Sequence, residues 1–392
     1  MSLQKQRIVS IDILRGIVML VMAIDHVREY FHITAFTDSP VNLDTTTPVL
    51  FFTRWITHFC APVFVFLSGT SAFLAAQHKT LHQSSLFLLK RGIWLIIVEI
   101  VIITLALTLN PLYNFVIFQV IWAIGWSMII LSLLIHTNTR LIALLGFILV
   151  FGHNVLDLIH LPDKGAAGVW WTVAFTSPGR VIPLDATHFV LDAYAVLPWT
   201  GIMLLGYGFG TIYTTGQYAE RRKLILKFAA GVVALFFLLR FINRYGDPAP
   251  WSVQKNNLFT VLSFLNVTKY PVSLIYTCMT IGPALIALAL LERTRGIFSR
   301  VLGVFGRVPF FYYICHFYLI RLLNVVIFFA AGYGKKDIID PTLPFLFRPQ
   351  QFGFGLPAVY TIWLLVILLL YKPCQWFDRY RSTHRQWWLS YL

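Results

Sequence analysis

The chain has 392 residues, of which 58% are hydrophobic and 12% are charged, and its mean hydropathy is +0.73. Apolar runs of about twenty residues recur throughout, so the composition excludes an ordinary soluble domain and predicts a polytopic membrane protein surrounded by lipid. The formal net charge of +15 does not indicate a nucleic-acid partner, because the basic residues lie in short loops between apolar segments rather than on one patch.

The pattern of apolar runs predicts an all-α membrane helix bundle of about ten, or at most eleven, transmembrane helices. The predicted spans are 9–30, 50–76, 86–108, 114–135, 139–158, 188–213, 223–242, 271–292, 308–331 and 355–372. Residues 257–270 are too short and too polar for a full span and predict an interfacial or re-entrant segment. The prediction is therefore one transmembrane domain over residues 1–372, with a short cytoplasmic tail at 373–392.

The distribution of charged residues predicts the orientation of the bundle. One set of loops, with the two termini, carries Lys5, Arg7, Lys79, Lys90, Arg91, Arg140, Arg221, Arg222, Lys223, Arg293, Arg295, Arg300, Arg379, Arg381 and Arg385. The opposite loops are poorer in cations and contain Asp38, Asp44, Asp163, Asp185 and Asp247, although Lys335 and Lys336 run against the trend. Because cytoplasmic loops are enriched in Lys and Arg, we expect both termini in the cytoplasm. The long segment 159–187 on the other side predicts a cap over a cavity.

The first predicted helix carries charge where charge is costly. Segment 8–30 reads IVSIDILRGIVMLVMAIDHVREY and places Asp12, Arg15, Asp25 and His26 in an otherwise apolar span. Ionisable side chains at bilayer depth cost about 2.5–3.5 kcal/mol each on insertion scales, and they usually mark a functional pathway. Arg15 and His26 are three helical turns apart, so they share one face and lie about 16 Å apart along the axis. This face suits a long substrate laid along the helix.

Each of these residues has a role that its chemistry suggests. A neutral imidazole is the usual general base near neutral pH, so His26 is the first candidate for catalysis. Asp12 lies one turn before Arg15, and the two form either a structural ion pair or part of an anion site. Asp25 points about 100° away from His26 on an ideal helix and is expected to face another helix, with a catalytic role only through a bend or a water.

Other predicted spans also contain ionisable residues. Arg54 and His58 share a face of the second helix, and His58 lies at a depth similar to that of His26, so both histidines could line one cavity. His316, within RVPFFYYICHFYLIR, is a third buried imidazole that could assist. Glu99 is a lone acid at mid-depth that must be paired or protonated. For all four residues a purely structural role is the alternative.

Aromatic and basic residues complete the predicted site. Trp122 and Trp126 stack at i, i+4 and serve either helix packing or the substrate cavity, as Arg54 and Glu99 could. An anionic, phosphate-bearing donor needs cations at the cytoplasmic mouth, and those available are Arg15, Lys90, Arg91 and Arg307. The chain has no H-E-x-x-H, Walker-type or G-x-S-x-G motif, and its four cysteines have no paired spacing, so no metal is expected.

Several blocks of this sequence resemble a known family. They are RIVSIDILRGIVMLVMAIDHVREYF, RWITHFCAPVFVFLSGTSAFL, LLKRGIWLIIVE, VIWAIGWSMI, GHNVLD, YGDPAPWS, FLNVTKYP and FGRVPFFYYICHFYLI. Together they resemble the bacterial branch of the heparan-α-glucosaminide N-acetyltransferase-like membrane proteins, as far as about residue 330. The R-x10-H spacing from Arg15 to His26 also resembles the first-helix signature of integral-membrane acyltransferases that decorate bacterial polysaccharides.

The resemblance implies an enzyme of the bacterial inner membrane that uses acetyl-CoA or another acyl-CoA from the cytoplasmic side. Its acceptor would be an amino sugar or a sugar hydroxyl reached from the far side, and a homodimer is an option. In the heparan-processing branch the catalytic histidine follows the first helix, where this chain has His32. His26 and His32 both stay open, and we favour His26 for its spacing from Arg15 and its burial. The alternative function is a transporter of an anionic metabolite or lipid-linked glycan, against which the absence of internal repeats counts.

Overall fold

The computed structural model describes residues 8–159, 165–214, 217–384 and 386–390, and within them the chain is mostly helical. Four of the charged residues used to predict the orientation lie outside this described part of the chain, namely Lys5, Arg7, Asp163 and Arg385. The remaining loop charges lie on described residues.

The helices follow the apolar runs. In chain order they are α1 (Val9–Phe31), α2 (Pro48–Thr57), α3 (Cys60–Ala76), α4 (Leu81–Val98), α5 (Thr104–Thr108), α6 (Val120–Leu134), α7 (Thr139–Gly152), α8 (Gly165–Trp171), α9 (Val196–Phe209), α10 (Tyr218–Ile242), α11 (Asn257–Leu265), α12 (Leu274–Leu291), α13 (Ile297–Arg307), α14 (Pro309–Ala330) and α15 (Leu356–Thr383). A π-helical turn, Glu99–Ile103, joins α4 to α5. Several helices begin where a polar side chain accepts a backbone N–H of the first turn, as at Thr80, Asn138 and Ser273.

Six helical segments of the described chain are long and apolar enough to cross a membrane. They are Pro48–Ala76, Thr139–Leu158, Tyr218–Ile242, Leu274–Leu291, Pro309–Ala330 and Leu356–Thr383. Helix α1 has a similar length, but its charged residues Asp12, Arg15, Asp25, Arg28 and Glu29 set it apart from these six. The structure thus supports a helical membrane protein, while the predicted number of about ten spans and the side of the termini stay predictions.

The mostly helical fold predicted from the sequence also contains a small three-stranded sheet among the described residues. β1 (Phe115–Phe118) pairs in parallel with β3 (Phe189–Asp192), and β2 (Arg180–Pro183) pairs with β3 in the antiparallel sense. The strands β1 and β3 replace the beginnings of the predicted spans 114–135 and 188–213. A short apolar run such as FVIF fits a strand as well as a buried helix, so hydropathy alone assigned it wrongly.

Two further segments differ in detail from the predicted ones. The span predicted at 50–76 matches the segment Pro48–Ala76, within which a short turn at His58 and Phe59 separates α2 from α3. Helix α15 continues through residue 372 as far as Thr383, so the segment predicted as a tail is largely helical. The segment 257–270 contains only the short helix α11, in line with the prediction that it is not a full span.

Helix α1 packs against α13 with the two backbones in direct contact. A Cβ atom on Gly16 would overlap the carbonyl of Leu302, and one on Gly306 would overlap the carbonyl of Asp12. Only glycine allows so close an approach at both positions. The crossing brings Arg15 within 3.2 Å of the Gly306 carbonyl oxygen, and it fixes the face of α1 that carries the candidate site.

Candidate functional site

The centre of the site is a pair of histidines from opposite ends of the chain. His26 on α1 and His316 on α14 approach each other with 2.7 Å between the Nδ1 of His26 and the Nε2 of His316. His316 is fully buried, whereas His26 is half-buried and stacks on Phe317 with ring centroids 4.3 Å apart. The structure therefore unites two imidazoles that the sequence analysis named separately.

The hydrogen bonds of this pair assign its protons. The Nδ1 of His316 lies 2.6 Å from the carbonyl oxygen of Tyr313, so this nitrogen donates its N–H. In a neutral imidazole the other nitrogen then accepts, and the N–H that it accepts is that of the His26 Nδ1. The Nε2 of His26 is consequently the nitrogen with a free lone pair. It is the atom of this pair that can act as a base or nucleophile.

Asp25 belongs to a buried ion cluster beside the histidines. Its carboxylate pairs with Arg28 one turn later, at 3.2 Å, and with Arg54 of α2. Asp25 thus faces another helix, as its angular offset from His26 predicts. The two arginines compensate its charge, and the cluster ties α1 to α2. Asp25 and Arg54 are placed to hold α1 in position rather than to touch the His26 ring.

A cavity of about 560 Å³ opens at the end of the bundle where α3 ends and α4 begins. Its cationic lining side chains are Arg15, Lys79, Arg91, Arg307 and Arg381. Deeper in, the walls are apolar and include Met19, Leu95 and Ile121. Such a cavity has cationic groups that can bind phosphate at one end and an apolar lining behind them.

Hydrogen bonds hold the basic side chains of the cavity in place. Arg15 donates to Ser71 Oγ at 2.9 Å and to Gly306, and its third contact is Asp12 Oδ1 at 3.4 Å. Arg307 forms an ion pair with Asp378 of α15, with 2.6 Å between Nη2 and Oδ2. These contacts pre-position the guanidinium groups, which reduces the ordering needed when an anion binds.

Tyr313 connects the cavity with the histidine pair. It lines the inner part of the cavity, and its ring centroid lies 5.5 Å from that of His316. Neither His26 nor His316 lines the cavity, and His26 lies two helical turns, about 10.5 Å, beyond Met19 along α1. A ligand that fills the cavity therefore meets Tyr313 before it reaches the imidazoles.

Three residues predicted for the site have other partners. His58 lies in the break between α2 and α3, where its ring packs against Tyr276 with 5.4 Å between centroids, so it does not join the other two histidines. Glu99 is fully buried, and its Oε1 accepts the backbone N–H of Gln119 at 3.2 Å, which caps the start of α6. His32 binds Thr34 through Nδ1, and burial with the charges of Arg28 and Arg348 lowers the pKa of this imidazole.

The remaining predicted residues lie outside the cavity. Trp122 stacks on Phe118 at 3.8 Å and packs against Trp126, and neither indole lines the cavity, although their neighbours Ile121 and Ile124 do. Lys90 is exposed and absent from the cavity wall, whereas the adjacent Arg91 is part of it. Among the residues that the structure describes, no cluster of His, Cys, Asp or Glu could hold a metal ion.

The structure adds residues that the sequence analysis did not single out. Lys79 and Arg381 line the cavity, and Tyr313 closes its inner end. Tyr313 precedes His316 by three residues and so shares a helix face with it, which is a signal that the sequence contains. For Arg381 the sequence has no such signal, because only the packing of α15 against α13 brings this side chain to the cavity.

A helical membrane protein with a hydrogen-bonded histidine pair behind a basic, apolar-walled cavity has the parts of a membrane-embedded transferase. The family comparison agrees with this class. The model of the family described as heparan-alpha-glucosaminide N-acetyltransferase, catalytic, matches residues 7–241. The match covers more than half of the chain, so the chain belongs to this family. A comparison with curated proteins gives no match.

Proposed function

We propose that the protein is a membrane-embedded acetyltransferase that takes its acetyl group from acetyl-CoA. The observation that carries this proposal is the hydrogen bond between His26 and His316, which leaves the His26 Nε2 as a free base behind a basic cavity. The membership of an acetyltransferase catalytic family supports the same reaction. The donor would be a substrate of the cavity, and the acceptor would be an amine or hydroxyl of an amino sugar or other glycan.

The cationic mouth and the apolar lining of the cavity support acetyl-CoA as the donor. Lys79, Arg91, Arg307 and Arg381 would bind the phosphates near the mouth, since guanidinium and ammonium groups bind phosphate oxygens well. The apolar wall behind them would contact the uncharged arm that ends in the thioester. Arg15, held by Ser71, would bind the most deeply placed polar group of the donor.

The reaction follows from the tautomer of His26. The acceptor nitrogen or oxygen would attack the thioester carbonyl carbon while the Nε2 of His26 takes its proton. The carbon–sulfur bond would then break, and the CoA sulfur would leave and receive that proton from the His26 imidazolium. The Nε2 of His316 would stabilise this imidazolium by accepting the N–H of the His26 Nδ1. The Tyr313 carbonyl would keep the other proton of His316 on Nδ1.

The membrane setting gives the reaction a direction. We propose that the protein lies in a bacterial inner membrane, that the cavity opens to the cytoplasm, and that the acceptor arrives from the far side. The cavity mouth lies at the end of the bundle where loops are rich in Lys and Arg, which supports this orientation. Transport of an anionic metabolite or lipid-linked glycan is the alternative, and the match to a catalytic family favours the enzyme.

The proposal is tested with the full-length protein in lipid nanodiscs, using radiolabelled acetyl-CoA and a panel of amino sugars. We expect transfer by the wild type. We expect H26Q to reduce the turnover by about 10²–10⁴-fold, because a positioned acid–base group contributes this much. Acetyl-CoA binding, measured by isothermal titration calorimetry, should change little in H26Q, because His26 does not line the cavity.

The matched control is H32Q, at the other histidine near the end of α1. His32 binds Thr34 and has a lowered pKa through burial and neighbouring arginines, so its loss should affect the stability more than the turnover. Full turnover by H26Q together with an inactive H32Q would transfer the catalytic assignment to His32. Uptake of a labelled anion by wild-type vesicles without any acetyl transfer would favour the transporter.

A further inference from the structure

The side chain of Tyr313 has a buried hydroxyl without a use in the fold. Tyr313 is 5% exposed, and its phenol oxygen is buried without a hydrogen-bond partner among the described residues. A buried O–H without an acceptor is unfavourable, because its hydration has been lost and nothing has replaced it. Structural packing alone would be served as well by phenylalanine. The Tyr313 hydroxyl is therefore available to an acceptor, and the lining of the cavity decides whether a ligand can supply it.

The carboxylates nearby do not supply that acceptor. Glu99 and Glu29 lie within electrostatic range of the Tyr313 phenol, but no hydrogen bond joins either one to it within the described residues. Glu99 accepts the N–H of Gln119 with Oε1, and its Oε2, like the Tyr313 hydroxyl, has no hydrogen-bond partner among the described residues. The other contact surface of Tyr313 is the cavity itself, whose inner wall it forms.

A comparison with Tyr312 separates the cavity from burial in general. Tyr312 is fully buried, its phenol oxygen also has no partner within the described chain, and its ring stacks on His316 at 5.3 Å. Tyr312 does not line the cavity, whereas Tyr313 does. The two tyrosines thus share burial and contact with His316, and they differ in access to a ligand in the cavity.

We propose that the Tyr313 hydroxyl donates a hydrogen bond to the carbonyl oxygen of the bound thioester and stabilises the negative charge that forms there. This inference rests on the proposed function. When the acceptor attacks, its nitrogen or oxygen bonds to the carbonyl carbon, its proton goes to His26, and the carbonyl oxygen becomes an oxyanion held by Tyr313. When the carbon–oxygen double bond reforms, the carbon–sulfur bond breaks and the sulfur takes the proton from His26. Tyr313 keeps its own proton and stays a neutral phenol throughout.

The test compares Y313F with Y312F in the full-length protein. We expect Y313F to lower kcat by about 10²–10³-fold, as for the loss of one oxyanion donor, while the Kd of acetyl-CoA changes by only about twofold. Y312F should stay close to the wild type, because Tyr312 does not line the cavity. Equal losses of kcat in the two variants would show that both act through the packing of His316, and they would overturn the proposal, as would an unchanged Y313F.

A spectroscopic readout works without turnover. In the infrared spectrum of bound acetyl-CoA labelled with ¹³C at the carbonyl, the wild type should shift the carbonyl stretch to lower frequency, and Y313F should abolish this shift. The wild type should also bind acetyl-CoA more tightly than S-ethyl-CoA, a thioether without the carbonyl. This comparison tests the hydrogen bond to the carbonyl even if Y313F does not fold. A bound thioester with an unshifted carbonyl stretch would refute the role of Tyr313 even if transfer occurs. A wild type that binds and shifts the thioester but acetylates no acceptor would instead count against the proposed function alone, whereas no binding would refute both.

Discussion

A neutral imidazole is a base only at the nitrogen that carries no proton, and the contacts of His316 decide which nitrogen that is in His26. The Tyr313 carbonyl fixes the His316 proton on Nδ1, and the remaining nitrogen of His316 fixes the His26 proton. A substitution of His316 should therefore change which nitrogen of His26 carries the proton, without removing a contact to the substrate. In the proposed reaction, His316 is a positioning residue and His26 is the catalytic one.

Arg15 provides the prediction at the residue scale. R15A should weaken acetyl-CoA binding by about 10–100-fold, which corresponds to the loss of a charged hydrogen bond, and R15K should restore it only in part, because the planar fork is lost. K90A is the matched control, since Lys90 is an exposed cation outside the cavity, and its affinity should equal that of the wild type. Isothermal titration calorimetry with acetyl-CoA measures all three. Wild-type affinity in both Arg15 variants would mean that this guanidinium only pairs with Asp12 and joins α1 to Ser71 and α13.

The individual residues could largely be found from the sequence, but their contacts could not. His26, His316 and Arg15 are conspicuous because each is ionisable in an apolar run. The meeting of His26 with His316 joins positions 290 residues apart, and no local pattern encodes it. Glu99 illustrates the opposite case, a buried acid with a local structural contact, because its Oε1 accepts the backbone N–H of Gln119 just before α6.

At the scale of elements, the crossing of α1 and α13 sets the depth of the site. The two glycines at the crossing let the helices meet backbone to backbone, which brings Arg15 to Gly306. Hydropathy could predict α1 and α14 but not this crossing, and it treated α13 as a loop. It also merged β1 and β3 with helices, because their pairing joins segments more than 70 residues apart.

This crossing leads to a prediction on stability. G306A should lower the free energy of unfolding by about 1–3 kcal/mol, because the new methyl group overlaps the Asp12 carbonyl in a packed contact. G231A on α10 is the matched control, since a Cβ there meets no atom within 4 Å, and alanine should raise the helix stability slightly. Thermal unfolding of both variants in detergent, followed by circular dichroism, gives the comparison. A G306A protein as stable as G231A would show that the helices separate at little cost.

At the scale of the whole molecule, the orientation in the membrane decides which side supplies the donor. A cysteine placed at Asp44 should react with an impermeant maleimide only from the periplasm, and one placed at Arg222 only from the cytoplasm, in a background in which the four native cysteines are replaced. Both positions are exposed in the structure. Labelling of intact and permeabilised cells distinguishes the two sides. The reverse pattern would place the cavity mouth on the periplasmic side and invert the direction of transfer.

The order of the helices along the chain has a consequence for biogenesis. Helix α1 precedes every other described helix, yet three of its partners come last: α13 at Gly306, α14 at His316 and α15, whose Trp363 donates to the Leu20 carbonyl at 2.8 Å. All three lie beyond the residues matched by the family model. During synthesis, α1 therefore lacks these three partners until the last quarter of the chain has been inserted. Until then its charged side chains lie in an environment that solvates them poorly. A nascent chain arrested before α13 should leave α1 exposed to membrane quality-control proteases, because the contact of His26 with His316 cannot form until α14 has been made.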